Sequence, residues 1–290
     1  MGRRQVVRQR VLVSPFLGSN PSGPVSNEEL VSKKKLILFD FDGVIIDGIN
    51  EYWSSSLLAS KKYLLPYKIE HNFNIQEKVS STFVDIRPWV KYGWEMVLIT
   101  HEIIKKNDPL NHENKNQFIQ NYKKNCREIL KTNLWEPKIL QTYLDKAREC
   151  QISDNFEKWI ELHRPFTQVV EFIRKAKRNN YQIGIITTKR STFTLKILNN
   201  FNIYSDLIFG YESGSKIEII SKLKQEFEIV GFLEDRRQTL INIKNNSETK
   251  HISCFLADWG YLKKSDRINL PNEIKLIKLT DLEDILANSS

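Results

Sequence analysis

Six short apolar runs limit what this chain can fold into. They are Leu36–Phe39, Gln182–Ile186, Leu207–Phe209, Ile229–Leu233, Ile252–Leu256 and Ile274–Ile277. Half-exposed strands alternate polar with apolar residues, and helices need longer stretches. Runs this short and continuous are expected as strands buried on both faces. Segments with helical spacing separate them. Val169, Val170, Phe172, Ile173 and Ala176 form one, Phe193, Ile197, Leu198 and Phe201 a second, and Ile217, Ile220, Leu223 and Phe227 a third. Strands alternating with helices imply an α/β fold with a parallel sheet covered on both faces.

The stretch from 49 to 163 breaks this alternation. Phe118, Ile119, Tyr122, Cys126, Ile129 and Leu130 make a helical stripe, and Trp53, Leu57, Leu58 and the Trp89–Trp94 region suggest further helices. A helical cap inserted after the first strand is expected at 49–163, with the α/β core at 35–48 and 164–290. No internal repeat is visible.

Charge and cysteines bound the function classes. The net charge of +9 invites a nucleic-acid reading. However, residues 1–34, rich in Arg, Ser, Gly and Pro, together with Lys35 carry +5 of it. That composition buries little, so 1–34 is expected as a basic, disordered leader. Its Arg/Ser-rich, acid-poor character also fits an organellar transit peptide. The remainder shows no dense basic stripe with interleaved aromatics, so no nucleic-acid partner is expected. No apolar run reaches the ~18 residues of a membrane span. Cys126, Cys150 and Cys254 are odd in number and lack metal-ligand spacing, which fits a reducing compartment. A cytoplasmic location is expected, with organellar import through 1–34 as the alternative.

Ligands of open α/β sheets bind beyond the carboxyl ends of the strands. Asp40 and Asp42 follow the first run, Thr187 follows the second, and Glu234 and Asp235 follow Ile229–Leu233. Lys216 begins the helix before that last strand. Gly43 lets the backbone turn sharply next to a ligand. Four nearby carboxylates repel one another unless a cation sits among them, and an all-oxygen set suits Mg²⁺. A carboxylate can also act as a covalent nucleophile.

Asp40-Phe41-Asp42-Gly43-Val44-Ile45-Ile46-Asp47-Gly48 closely resembles the first motif of the haloacid dehalogenase superfamily. Gly184-Ile185-Ile186-Thr187-Thr188-Lys189 looks like its second motif, Lys216 after Gly214-Ser215 its third, and Glu234-Asp235 its fourth. Asp258-Trp259-Gly260-Tyr261 is similar to a loop of the phosphoglycolate-phosphatase-like subgroup. The resemblance implies a Rossmann-like parallel sheet with a helical cap inserted after the first strand. It implies Asp40 as nucleophile and Asp42 as general acid/base. Thr187 would hold a phosphoryl oxygen, and Lys216 would neutralise charge. Mg²⁺ would be held by Asp40, Glu234, Asp235 and the backbone carbonyl of Asp42. Two departures stand out: Glu234 replaces the usual Gly, and Thr239 stands where a second acid is usual. Glu234 must therefore be that acid, and either it or Asp235 could be the direct ligand.

Thr188, Lys189 and Arg87 are candidates for substrate binding. For Thr188 and Lys189 the alternative is capping of the following helix, and for Arg87 an ordinary surface arginine. Trp89 and Trp94 read as cap core, and His101 and His163 as packing or surface residues. The function expected is Mg²⁺-dependent hydrolysis of a small phosphorylated metabolite, with phosphoglycolate as first candidate. A phosphomutase of the β-phosphoglucomutase type is the alternative within the family. A non-catalytic basic nucleic-acid-binding or scaffold protein is the alternative outside it. The oligomeric state is not legible.

Overall fold

The structure is a computed structural model, and it describes residues 33–64 and 78–287. The leader expected at 1–34 lies outside the described residues except for its end, where Lys34 already begins a strand. Eight strands occur among the described residues: β1 (Lys34–Phe39), β2 (Ile46–Asp47), β3 (Arg164–Pro165), β4 (Gln182–Ile186), β5 (Leu207–Phe209), β6 (Phe227–Glu234), β7 (Cys254–Ala257) and β8 (Ile274–Ile277). The chain divides into two compact units. Among the described residues, one gathers those up to Phe41, Thr167–Asp258 and those from Leu270 onward, and the other holds those of Asp42–Phe166 together with Trp259–Asn269.

The first unit is a six-stranded parallel sheet in the order β5-β4-β1-β6-β7-β8, flanked by helices. It is the Rossmann-like α/β sheet the sequence implies. In β1, Leu36, Ile37, Leu38 and Phe39 are all fully buried, which explains a continuous apolar run in place of alternation. Burial of each such side chain contributes roughly 1.5–3 kcal/mol. Helix Thr167–Arg178 buries Val169, Val170, Phe172, Ile173 and Ala176, and the Phe172 ring meets Phe39 edge-on. Lys175, Lys177 and Arg178 lie in its last turn, where the helix dipole favours cations.

Two strand boundaries differ from expectation. β6 starts at Phe227 because the pairing with β1 extends back to Lys34. β7 starts at Cys254, since Ile252 is held in a turn by its N–H bond to the Thr249 carbonyl. Helix Arg237–Asn245, directly after the fourth motif, was not anticipated.

The second unit is mainly helical. Its longest helices are Ile49–Ala59, Gly93–Ile104 and the 18-residue Pro137–Asp154, which starts on a proline whose missing N–H costs nothing there. Tyr52, Trp53, Phe83, Met96, Leu98, Leu140 and Leu144 belong to its core. Trp89 and Trp94 pack against that core, as expected of cap residues. The stripe at Phe118–Leu130 forms two helices, Lys115–Gln120 and Tyr122–Thr132, because Asn121 between them leaves helical geometry.

The contact division is not at the expected 48/49 and 163/164 boundaries. Residues 42–48, 164–166 and 259–269 group with the helices. β2 pairs antiparallel with β3, tying 46–47 to 164–165. The Trp259 indole donates to the Val44 carbonyl at 3.1 Å, and the Tyr261 hydroxyl donates to Asp47 Oδ1 at 2.6 Å. Among the described residues no helix is long and apolar enough to cross a membrane.

Candidate active site

The strand order reverses direction between β1 and β6. From β1 the chain builds outward through β4 and β5, then returns to the other side for β6, β7 and β8. Such a switch point opens a crevice at the carboxyl ends of its strands. Phe39 of β1 pairs with Leu233 of β6, and the Asp40 N–H extends the ladder to the Leu233 carbonyl at 2.8 Å. The next residues out are therefore Asp40 on β1 and Glu234 and Asp235 on β6. All three are buried, and each offers an oxygen within 4.8 Å of the others.

Lys216 reaches into this cluster. Its Nζ is 2.9 Å from Asp40 Oδ1 and 2.7 Å from Glu234 Oε2. It is the first residue of helix Lys216–Glu226, a position the helix dipole disfavours for a cation. The carboxylates, not helix propensity, account for a lysine there. The helix start is secured separately, by a reciprocal capping box between Ser215 and Glu218. The second oxygen of Glu234 accepts from the backbone N–H groups of Asp235 and Arg236, both at 3.1 Å. Glu234 is thus anchored through both oxygens.

The electrostatics follow from this packing. Burial and the neighbouring Glu234 raise the Asp40 carboxyl to about 6, although Lys216 pulls the other way. Burial also raises Glu234, with Lys216 opposing and Asp235 adding to the rise. For Lys216, burial alone would lower the pKa, but Asp40 and Glu234 outweigh it and push it up to about 12. Three buried carboxyl groups meet in one cluster, with Lys216 between two of them, and an all-oxygen donor set of this kind fits a hard divalent cation.

Thr187 follows β4, on the opposite side of β1 from β6. Its N–H continues the sheet to the Phe209 carbonyl, and its hydroxyl accepts from the Lys189 N–H at 3.1 Å. Thr187 and Lys189 are buried, and Thr188 is half-buried. None of them caps the next helix. That helix begins at Ser191, whose N–H donates to Glu212 Oε1 at 2.9 Å.

The structure brings Asp40, Lys216, Glu234 and Asp235 together in the sheet unit, with Thr187 one strand away. Asp42 and Arg87 belong to the helical unit. Gly43 has φ of +87° and donates to the Ile46 carbonyl, the sharp turn expected of it. Asp42 is buried, and its Oδ2 accepts from the Tyr52 hydroxyl at 3.1 Å. Arg87 is buried, not an ordinary surface arginine. Its guanidinium lies 4.0 Å from the Tyr261 ring centre and 5.7 Å from that of Tyr52. Arg148 reaches the Tyr52 ring as well, at 4.9 Å, and pairs with Glu51 at 2.7 Å, both fully buried. Tyr52, Glu51 and Arg148 escape sequence reasoning, because nothing in their spacing separates them from ordinary helix residues. His101 meets the Trp135 ring, and His163 contacts the Trp159 carbonyl; both are packing residues. A cavity of about 610 Å³ in the helical unit, between Trp53, Val79, Ile103 and Pro109, is lined by none of the expected site residues.

A sequence model described as "Hydrolase: haloacid dehalogenase-like hydrolase" matches residues 34–237. Among curated proteins, none matches. Solved structures share the fold at low identity. A predicted phosphatase from Clostridium acetobutylicum is 13% identical, with a TM-score of 0.55 over 89% of this chain and 100% of that one. A predicted phosphoglycolate phosphatase from Haemophilus somnus 129pt is 16% identical, with a TM-score of 0.55 over 90% and 100%. A haloacid dehalogenase-like family protein from Streptococcus pneumoniae is 17% identical, with a TM-score of 0.50 over 88% and 98%.

Proposed function

The chain belongs to the haloacid dehalogenase-like hydrolases, and from that premise we propose that it is a phosphatase acting on a small phosphorylated metabolite. The observation that carries the proposal is Lys216 bridging Asp40 and Glu234 at the switch point of the sheet. An ammonium held against a strand-end carboxylate stands where it can meet an incoming phosphoryl group.

The roles follow from chemistry. Asp40 attacks phosphorus and forms an aspartyl-phosphate as the ester oxygen leaves. Asp42 gives its proton to that oxygen, then takes one from the water that cleaves the intermediate. Thr187 donates its hydroxyl to a phosphoryl oxygen. Lys216 offsets the charge that Asp40 and the phosphoryl oxygens share. Lys189 and Thr188 contact the substrate from the same strand end. Arg87, with its planar fork, binds a carboxylate or second anionic group on the substrate. Phosphoglycolate comes first among substrates because the second and fourth motifs and the Asp258-Trp259-Gly260-Tyr261 loop resemble the phosphoglycolate-phosphatase-like subgroup.

Haloacid dehalogenase-like hydrolases generally use a divalent metal. Here Asp40, Asp235 and the Asp42 carbonyl would hold Mg²⁺, which when bound supplies positive charge to the phosphoryl oxygens. We assign Glu234 chiefly to holding Lys216, since both its oxygens are already engaged.

The test is a panel of phosphate esters, phosphoglycolate among them, offered to the full-length chain with Mg²⁺ and with a chelator. Mg²⁺-dependent phosphate release that disappears in Asp40→Asn supports the proposal. No release across the panel, with salt-sensitive nucleic-acid binding in its place, would sink it.

A further inference from the structure

We infer that Tyr52 is a positioning residue for Asp42, aiming its carboxyl group for proton transfer; this rests on the phosphatase reading above. The Tyr52 hydroxyl donates to Asp42 Oδ2 at 3.1 Å, and both side chains are buried. On the other side of the carboxyl group stands Gly48. A Cβ built there would lie 2.6 Å from Asp42 Oδ1, so only glycine leaves that oxygen its place. Asp42 is thus held from two directions by residues six and ten positions further along the chain.

The ring that carries the hydroxyl is itself fixed. Arg148 lies 4.9 Å from its centre and Arg87 5.7 Å. Arg148 in turn is clamped by Glu51, at 2.7 Å through Nε and 3.2 Å through Nη2. Ser55 donates to the same Glu51 at 2.7 Å. Four buried polar residues therefore brace a single phenol against a single carboxyl group.

A general acid/base must reach its proton within hydrogen-bond distance, and small displacements are costly. An aspartate free to rotate about Cβ–Cγ would lose that geometry. Tyr52 removes this freedom without touching substrate.

The experiment compares leaving groups. An alkyl phosphate needs a proton on its leaving oxygen, whereas p-nitrophenyl phosphate, whose phenolate leaves unaided, does not. Tyr52→Phe keeps the ring and removes the hydroxyl. It is expected to lower kcat/KM on the alkyl phosphate by roughly 10- to 100-fold. On p-nitrophenyl phosphate the change should stay within about threefold. In an Asp42→Asn background, Tyr52→Phe should add nothing. Gly48→Ala, which presses on Asp42 from the other side, should give the same leaving-group contrast and covers the case of a Tyr52→Phe protein that does not fold. Equal losses on both esters, or additive losses in the double variant, overturn the inference and leave the phosphatase reading standing. A wild-type chain that releases phosphate from no ester of the panel overturns both.

Discussion

Lys216 Nζ stands 2.9 Å from Asp40 Oδ1 and 2.7 Å from Glu234 Oε2, so one ammonium compensates two buried carboxylates. Lys216→Met removes it and leaves both acids without their cation. Breaking a buried pair from one side costs about 3–5 kcal/mol. The unfolding free energy of the metal-free variant should fall by about that amount at pH 8, read by urea titration. The loss should shrink as pH falls through about 6, where Asp40, raised by burial, takes up its proton and no longer needs the ammonium. Activity should fall at least about 100-fold. A pH-independent stability loss would count against the pairing.

The raised Asp40 pKa has a stability consequence of definite sign. Its folded value is about 6 against an ordinary 3.8. A group raised in this way adds stability below the unfolded pKa and loses it as pH rises through the folded one. Without metal, Asp40→Asn should therefore raise Tm at pH 7.5, and the gain should vanish between pH 6 and pH 4. Adding Mg²⁺ should raise the wild-type Tm more than that of the variant. Calorimetry with and without chelator reads both effects. A Tm difference that ignores pH would contradict this account of the cluster.

Glu51 and Arg148 form a fully buried pair between helices Ile49–Ala59 and Pro137–Asp154. Asp145 and His163 also face it, at 3.5 Å from Arg148 and 3.9 Å from Glu51. Arg148→Met alone should cost about 3–5 kcal/mol, because Glu51 is left charged in the core. Glu51→Met with Arg148→Met should recover most of that loss, as apolar replacements of buried pairs often do. Denaturant unfolding of the four proteins in the cycle measures it. A double variant no better than the single would show that Glu51 is held mainly by other partners.

How much of this was legible in the sequence depends on the range of each interaction. β1 and β4 stand out because both their faces are buried, so their runs are apolar throughout. Asp40, Thr187, Glu234 and Asp235 were legible from the same pattern, as the first polar residues after such runs. Lys216 was less legible: a lysine in a lysine-rich chain is usually a solvated residue, and only its place at the start of the helix before β6, and then the family resemblance, set it apart. Tyr52 was invisible, because its role depends on where a helix aims one hydroxyl. Arg148 finds Glu51 across 97 residues, beyond any local pattern. The grouping of Trp259–Asn269 with the helical unit was missed for a similar reason. It rests on contacts such as the Tyr261 hydroxyl reaching Asp47 and the Gly48 N–H, more than 200 positions away.

The central claim is that Asp40 carries the phosphoryl group during turnover. Borohydride reduces an acyl phosphate to an alcohol, so quenching the enzyme with it during hydrolysis should convert Asp40 to homoserine. Peptide mass spectrometry would then find homoserine at position 40, only in the presence of substrate and not in Asp40→Asn. Phosphate release with an unmodified Asp40, or release that survives Asp40→Asn, would contradict the account.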